Sequence, residues 1–361
     1  MADSTVLLNP ATDPVVPSAP VVPHEPARRR KALVAVLCLV FLLVSLALAV
    51  RIGAGVGWAE IGRAAGTRLG LPVEPLSRLQ DSLIWDLRVP RVLLAALVGA
   101  ALAVCGAALQ SLTRNALADP YLLGISSGAS TGAVVVVVLG FASSQLGVTG
   151  GALVGALVSF GLLMLLLRRS GLDSIRIVLT GVVVGQLFSA LTSLILLSSG
   201  DADSIRALTT WLLGSLASAR WQSVLMCAVV LAVGLLVVWL CSAALDGFAF
   251  GTDTAASLGV NVRTTRTVLL VTTSLMTAVA VAAVGAIGFV GLIVPHGVRF
   301  LIGPLHRQLL PLSAVVGAAF LVWTDALARV VFSPLEVPVG VFTALLGVPL
   351  FLMVLRKRGE L

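Results

Sequence analysis

The feature that most limits what this chain can become is a series of apolar runs with few charges, each about the length needed to cross a bilayer. Val92 to Leu109 is one such run, rich in alanine and carrying Gly99 and Gly106. About 20 apolar residues span the hydrocarbon as a helix, and small residues let neighbouring helices approach closely. Its polar tail, from Gln110 through Asn115 to Asp119-Pro120, has to lie at an interface or line a protein-walled aqueous space, because lipid cannot satisfy such groups. Comparable runs predict spans near 32–50, 89–111, 121–140, 150–167, 175–199, 223–242, 264–285, 287–303, 311–331 and 339–355. Only 11% of the residues are charged, against about 25% in soluble domains. The expected fold is an all-α integral membrane bundle of about ten transmembrane helices, with no length left for a separate soluble catalytic domain.

Residues 1–31 are set apart. Pro10, Pro14, Pro17, Pro20, Pro23 and Pro26 favour extended chain over packing, so a disordered Pro-rich cytoplasmic tail is expected, ahead of a transmembrane domain at 32–361. Arg28 to Lys31 then precede the first run. Ala47-Leu48-Ala49 resembles a signal cleavage site, but the apolar run is longer than that of a signal peptide, which favours an uncleaved span. Alternating the spans from there puts both termini inside, with Arg114, Arg168, Arg169, Arg176, Arg263, Arg266 and Arg307 on the cytoplasmic side. The net charge of +8 is accordingly assigned to inner loops and anionic lipid headgroups, and no nucleic-acid partner is expected.

Cys38, Cys105, Cys227 and Cys241 are scattered singly without a C-x-x-C pair, and His24, His296 and His306 are equally dispersed, so no metal site is expected. Val98-Gly99-Ala100-Ala101 is echoed by Val316-Gly317-Ala318-Ala319, and Leu117 to Pro120 by Leu335 to Pro338 at the same offset. The echo suits an inverted repeat, and chance recurrence of alanine and glycine is the alternative. Phe250 to Gly259 predicts a short helix closed by a glycine cap, either a docking element or an ordinary turn. Gly285, Gly288 and Gly291, before Pro295-His296, permit close packing or a broken helix. Arg299, Asp325 and Arg329 are ionisable groups in or near apolar spans and need partners. Asp325 and Arg329 are four apart on one helix face, with Arg299 as a competing partner.

Arg88-Val89-Pro90-Arg91, the G-A-x-L-A-x-x-G-x-x-x-Q pattern ending at Gln110, the Asn115–Pro120 turn, the Gly251–Gly259 loop, Gly288-Phe289-Val290-Gly291 with Pro295-His296, Glu336 to Gly340 and Gly347-Val348-Pro349 together resemble the FecCD-type permeases of ABC importers for iron-siderophores, haem and cobalamin. The resemblance spans roughly residues 33–357. Two positions depart from the family pattern: Ala116, where proline is usual, and Thr252, where an acid is frequent.

The resemblance implies a type II ABC importer permease of the bacterial cytoplasmic membrane that pairs with a second permease subunit. It implies two ATP-binding subunits recruited through Gly251, Asp253, Ala255, Leu258 and Gly259. It further implies docking of an extracytoplasmic substrate-binding protein on Arg88, Arg91 and Arg329, and a cytoplasmic gate at Asn115, Leu117 and Ser174. No cofactor is expected on the chain itself, ATP and Mg belonging to the partner subunit: a phosphate-binding loop needs a G-K-[ST] lysine, and Lys31 and Lys357 sit among arginines. The residues alone leave two alternatives open. One is an ion-coupled secondary transporter using Asp325. The other is an intramembrane enzyme, for which His296 has no visible nucleophile partner. Gln110, His296, Arg299 and Asp325 are the intramembrane polar residues to locate.

Overall fold

The computed structural model describes residues 25–53, 56–139, 145–198, 202–333 and 335–357. The first helix, α1 (Glu25–Arg51), is followed by two short ones, α2 (Trp58–Arg68) and α3 (Arg78–Ser82). A π-helical turn, Leu83–Arg88, leads into α4 (Val89–Thr113), and a 3-10 turn, Pro120–Leu123, into α5 (Ile125–Val138). Then come α6 (Gln145–Ser170), α7 (Ser174–Ser198), α8 (Ala202–Leu212) and α9 (Trp221–Leu240). The pair α10 (Ser242–Ala249) and α11 (Thr252–Ser257) precedes α12 (Val262–Val284), α13 (Val290–Ile302), α14 (His306–Val330) and α15 (Val339–Lys357). Among the described residues seven helices are long and apolar enough to cross a membrane, and α5, α13 and α15 are shorter apolar helices, so each predicted span coincides with a helix.

Two differences from the sequence reading have local causes. Helix α1 begins at Glu25, so Arg28 to Lys31 are helical instead of belonging to the tail; Pro26 fits a helix's first turn, where its missing N–H is not needed. Residues 1–24 and Arg358 lie outside the described residues. Helices α2 and α8 were not anticipated, because each is a short polar-faced helix inside a segment expected to be loop. The chain breaks between α12 and α13, where Gly285 (φ 77°) and Phe289 (φ 69°) are left-handed. That irregular backbone is partly buried and finds partners in protein, as it must in lipid: the Ser215 amide donates to the Val284 carbonyl at 2.8 Å, and the Ile287 amide and carbonyl both bond to the Tyr121 hydroxyl at 2.9 Å.

Helix α4 is the axis of the bundle. Every residue from Val98 to Thr113 is buried, whereas α1, α6, α7 and α9 present large apolar side chains outward. Alanine and glycine make this possible, since a helix surrounded on all sides needs small residues where backbones cross. A Cβ at Gly99 would overlap the Gly317 carbonyl, one at Gly106 the Gly291 carbonyl, and one at Gly317 would approach Gly99 in return. Helices α4 and α14 cross reciprocally at the paired glycines of the repeated Val-Gly-Ala-Ala and run antiparallel, Arg91 lying beside Asp325 at one end and Ser111 beside His306 at the other.

Candidate functional site

At one end of α4, Arg114 closes the helix in a left-handed conformation (φ 51°). The Asn115 amide bonds back to the Gln110 carbonyl at 3.1 Å, and its Oδ1 accepts the Leu117 amide at 2.9 Å. Asn115 thus builds the turn with its own side chain, which supplies stiffness where Ala116 replaces the expected proline. Asp119 caps the next turn by accepting the Tyr121 amide at 3.0 Å; burial pushes its carboxyl up to about 6, with that amide pulling the other way. Ser174, opening α7, donates to the Leu112 carbonyl at 3.2 Å. Asn115, Leu117 and Ser174 are therefore gathered around the last turn of α4.

Gln110 is a hub. Its Nε2 donates to the Gly291 and Leu292 carbonyls, each at 3.1 Å, and its Oε1 accepts from Arg299. Pro295 lies inside α13 and has no N–H to offer the Gly291 carbonyl one turn back. Gln110 supplies that missing donor across the helix interface. His296 is buried beside the rings of Phe300 and Phe351. Arg299 bonds to Gln110, which corrects the expectation of it as a competing partner for Asp325.

Sequence reasoning missed a relay beside this hub. Ser111 Oγ bonds to His306 Nε2, His306 Nδ1 lies 2.6 Å from Asp246 Oδ1, and the same oxygen accepts the His306 amide at 2.9 Å. These groups tie α4, α14 and α10 into one joint. The order serine, imidazole, carboxylate is that of a hydrolytic triad, but Ser111 lies within the helical ladder of α4 and not on a strained elbow. Gln110, Arg114, Asp246, Phe250, Arg299 and His306 line a cavity of about 490 Å³ at this end. Beyond it α11 is present as predicted, with Gly251 (φ 116°) before it and Gly259 (φ 83°) after it. Ala255 is buried and Asp253 favours the helix N-terminus, while Phe250 and Leu258 are 77% and 70% exposed.

The opposite end is closed by charge. Arg91 reaches Asp325 with Nε at 3.0 and 3.2 Å and with Nη2 at 2.9 Å, and Glu336 with Nη1 at 2.8 Å. Arg329 pairs with the other Asp325 oxygen at 3.1 Å. Arg329 also donates to the Ile52 and Ala49 carbonyls at 2.8 and 3.1 Å, and Arg88 to those of Val50 and Arg51 at 3.0 and 3.2 Å. These are the carbonyls a helix leaves unsatisfied at its C-terminus, so Arg88 and Arg329 cap α1. The anticipated i,i+4 pair of Asp325 and Arg329 exists, but Arg91 is its unforeseen third member. All three arginines expected to receive a partner are engaged within the chain.

Among the described residues no three His, Cys, Asp or Glu side chains converge on a metal position. The four cysteines are free thiols.

The chain is 40% identical over 293 residues to the vitamin B12 import system permease protein BtuC of Vibrio cholerae, covering 80% of this chain and 87% of that one. It is equally, 40%, identical over 282 residues to the hemin transport system permease protein HmuU of Yersinia pestis, covering 77% and 84%. A solved chain described as an inward-facing conformation of a metal-chelate type ABC transporter superposes with a TM-score of 0.76 at 31% identity, covering 88% of this chain and 98% of its own. Residues 34–357, from the first span through the last, match one family throughout, and the chain belongs to the FecCD transport family.

Proposed function

We propose that this chain is the permease subunit of an ATP-driven importer that carries an iron-siderophore complex across the bacterial cytoplasmic membrane. Two copies of the chain, or this chain and a related one, form the path. Two ATP-binding subunits hydrolyse ATP with Mg at the end carrying α11, and an extracytoplasmic binding protein delivers cargo at the end carrying α2. The observation that carries this reading is the α10–α11 elbow: Phe250 and Leu258 stand outward while Asp246 of the same elbow is bonded to His306. A push on α11 would reach α14 and α4 through that joint and disturb the turn of Asn115, Leu117 and Ser174. Arg91 lies nearest the opposite rim, beside the half-exposed Glu336; a carboxylate of the binding protein would compete with Glu336 for it.

Cobalamin or haem is the second reading for cargo, supported by the names of relatives of equal identity. The ion-coupled alternative is disfavoured because both oxygens of Asp325 are engaged by arginines, the arrangement of a structural clamp. The test is a pull-down from native membranes with the chain tagged, comparing wild type with Phe250→Glu and Leu258→Glu. Co-purification of an ATPase, lost by about tenfold or more in the variants, is expected from exposed apolar anchors at an interface. Transport by the chain alone, collapsing with the proton gradient, would overturn the reading. Uptake of labelled ferric siderophore, cobalamin and haemin by reconstituted complex then discriminates the cargo.

A further inference from the structure

On the side that carries α11, a cavity of about 800 Å³ opens between the end of α6, residues 171–173 and the starts of α7 and α12. Arg168, Arg169, Arg176, Arg263 and Arg266 line it, and Asp173 is the one carboxylate among its lining residues. Four of these arginines lie at the surface, where basic side chains ordinarily extend into water. Arg266 differs. It is 6% exposed, its Nη1 donates to the Leu172 carbonyl at 2.6 Å, and its guanidinium lies 5.6 Å from the centre of the Phe248 ring. Its buried Nε has no hydrogen-bond acceptor among the described residues, and an unmet buried donor is costly.

Helix polarity gives a second, independent reason to expect an anion. Arg168 and Arg169 occupy the last turn of α6, where cations are favoured. Arg176 and Arg263 occupy the first turns of α7 and α12, where the aligned peptide dipoles already carry positive charge; Asp173, just ahead of α7, offsets part of it and pairs with Arg176 at 3.6 Å. An anion seated between those two helix starts would satisfy both the dipoles and the arginines, and would give the Arg266 Nε a partner.

We propose that this cavity binds the phosphate of an anionic membrane phospholipid. The depth is right, because the spans of α6, α7 and α12 end here and headgroup phosphates lie where spans end. The walls are right as well: Met164, Leu167, Leu172 and Val262 supply apolar lining. Leu165, Leu166, Ile175 and Leu179, exposed on α6 and α7, offer acyl chains a surface to follow. A free phosphate would use the arginines and leave the apolar wall without a role. Because α12 starts directly after α11, a bound lipid would tie the α6–α7 hairpin to the base of the elbow.

The test uses the full-length chain in a neutral maltoside detergent and follows its melting temperature. Titrants are dioctanoyl phosphatidylglycerol, dioctanoyl phosphatidylcholine and sodium phosphate. A saturable rise with phosphatidylglycerol alone is expected. The Arg176→Gln/Arg263→Gln double variant changes only exposed side chains and should shift the midpoint of that rise by about tenfold or more. Arg63→Gln/Arg78→Gln, at the other end, should leave the midpoint unchanged. Equal stabilisation by phosphatidylcholine, or an unaltered midpoint in the double variant, would overturn the site. Stabilisation by sodium phosphate at the same concentration would overturn the lipid assignment in favour of a soluble anion. A double variant that loses co-purifying ATPase while keeping its lipid response would assign the cavity to an acidic segment of that partner instead.

Discussion

The antiparallel pair of α4 and α14 ends in two opposite ways. At the end with α2 and α3, arginines are met inside the chain: Arg91 by Asp325 and Glu336, Arg68 by Asp81, Arg63 by Glu74, and Arg88 by the carbonyls closing α1. At the end with α11, five arginines share one cavity with a lone carboxylate. The same residue type does two jobs. Where carboxylates and helix-end carbonyls converge on it, arginine holds elements together; where they do not, its charge is left for a leaflet or a partner.

The largest expected effect breaks the closed end. Asp325→Ala takes the shared carboxylate from Arg91 and Arg329, which are 12% and 8% exposed and keep Glu336 and the α1 carbonyls respectively, and removing one partner of a buried pair costs about 3–5 kcal/mol. The melting temperature in detergent should fall accordingly, and Arg329→Gln added to Asp325→Ala should recover part of the loss. A cost below about 1 kcal/mol would show that these charges behave like surface pairs, and the contrast between the ends would fail.

The crossing that joins the two ends comes next. Gly106→Val forces a side chain against the Gly291 carbonyl, and overpacking of this kind costs about 1–3 kcal/mol or more. Gly317→Val should behave alike against Gly99, whereas Gly150→Val, where a Cβ meets nothing within 4 Å, should leave the melting curve in place.

Asp246→Ala tests the joint at the open end. It leaves the His306 ring and amide without an acceptor, a loss of about 1–3 kcal/mol. Its more telling consequence is functional: ATPase subunits should still co-purify, since Phe250 and Leu258 are untouched, while ATP-driven uptake falls. Loss of both together would mean that the relay merely holds the docking surface in shape.

What could be read in advance follows the same division. Long apolar runs located the apolar helices even where Arg299, Asp325 or Arg329 interrupts them, because a bilayer leaves so few alternatives. The echo of the two glycine-bearing segments suggested an inverted repeat or chance recurrence; that Gly99 packs against Gly317 was not foreseen. The charged cluster was half legible: Asp325 and Arg329 are one helical turn apart, whereas Arg91 lies 234 residues away and no local periodicity could bring it in. The relay was illegible for the same reason, with His306 separated from Ser111 by 195 residues and from Asp246 by 60. Arg88 and Arg329 were assigned outward by resemblance to the family; the orphan carbonyls at the end of α1 also suit guanidiniums, and only the packed structure shows that those acceptors are within reach.

The smallest predicted effect has the opposite sign and sharpens the comparison most. Arg263→Gln removes a cation from the first turn of α12, where it opposes the helix dipole. In detergent without added lipid the variant should therefore be more stable than wild type, by about 0.3–1 kcal/mol. Arg169→Gln removes a cation from the last turn of α6, so it should be destabilising by a similar amount. Raising the salt concentration should shrink both differences, because exposed charges are screened within about 10 Å at 0.1 M. With anionic lipid present the order inverts for Arg263, whose charge then has a partner. A destabilised Arg263→Gln in lipid-free detergent would place a hidden acceptor within the chain, and the end with α11 would be closed like the other.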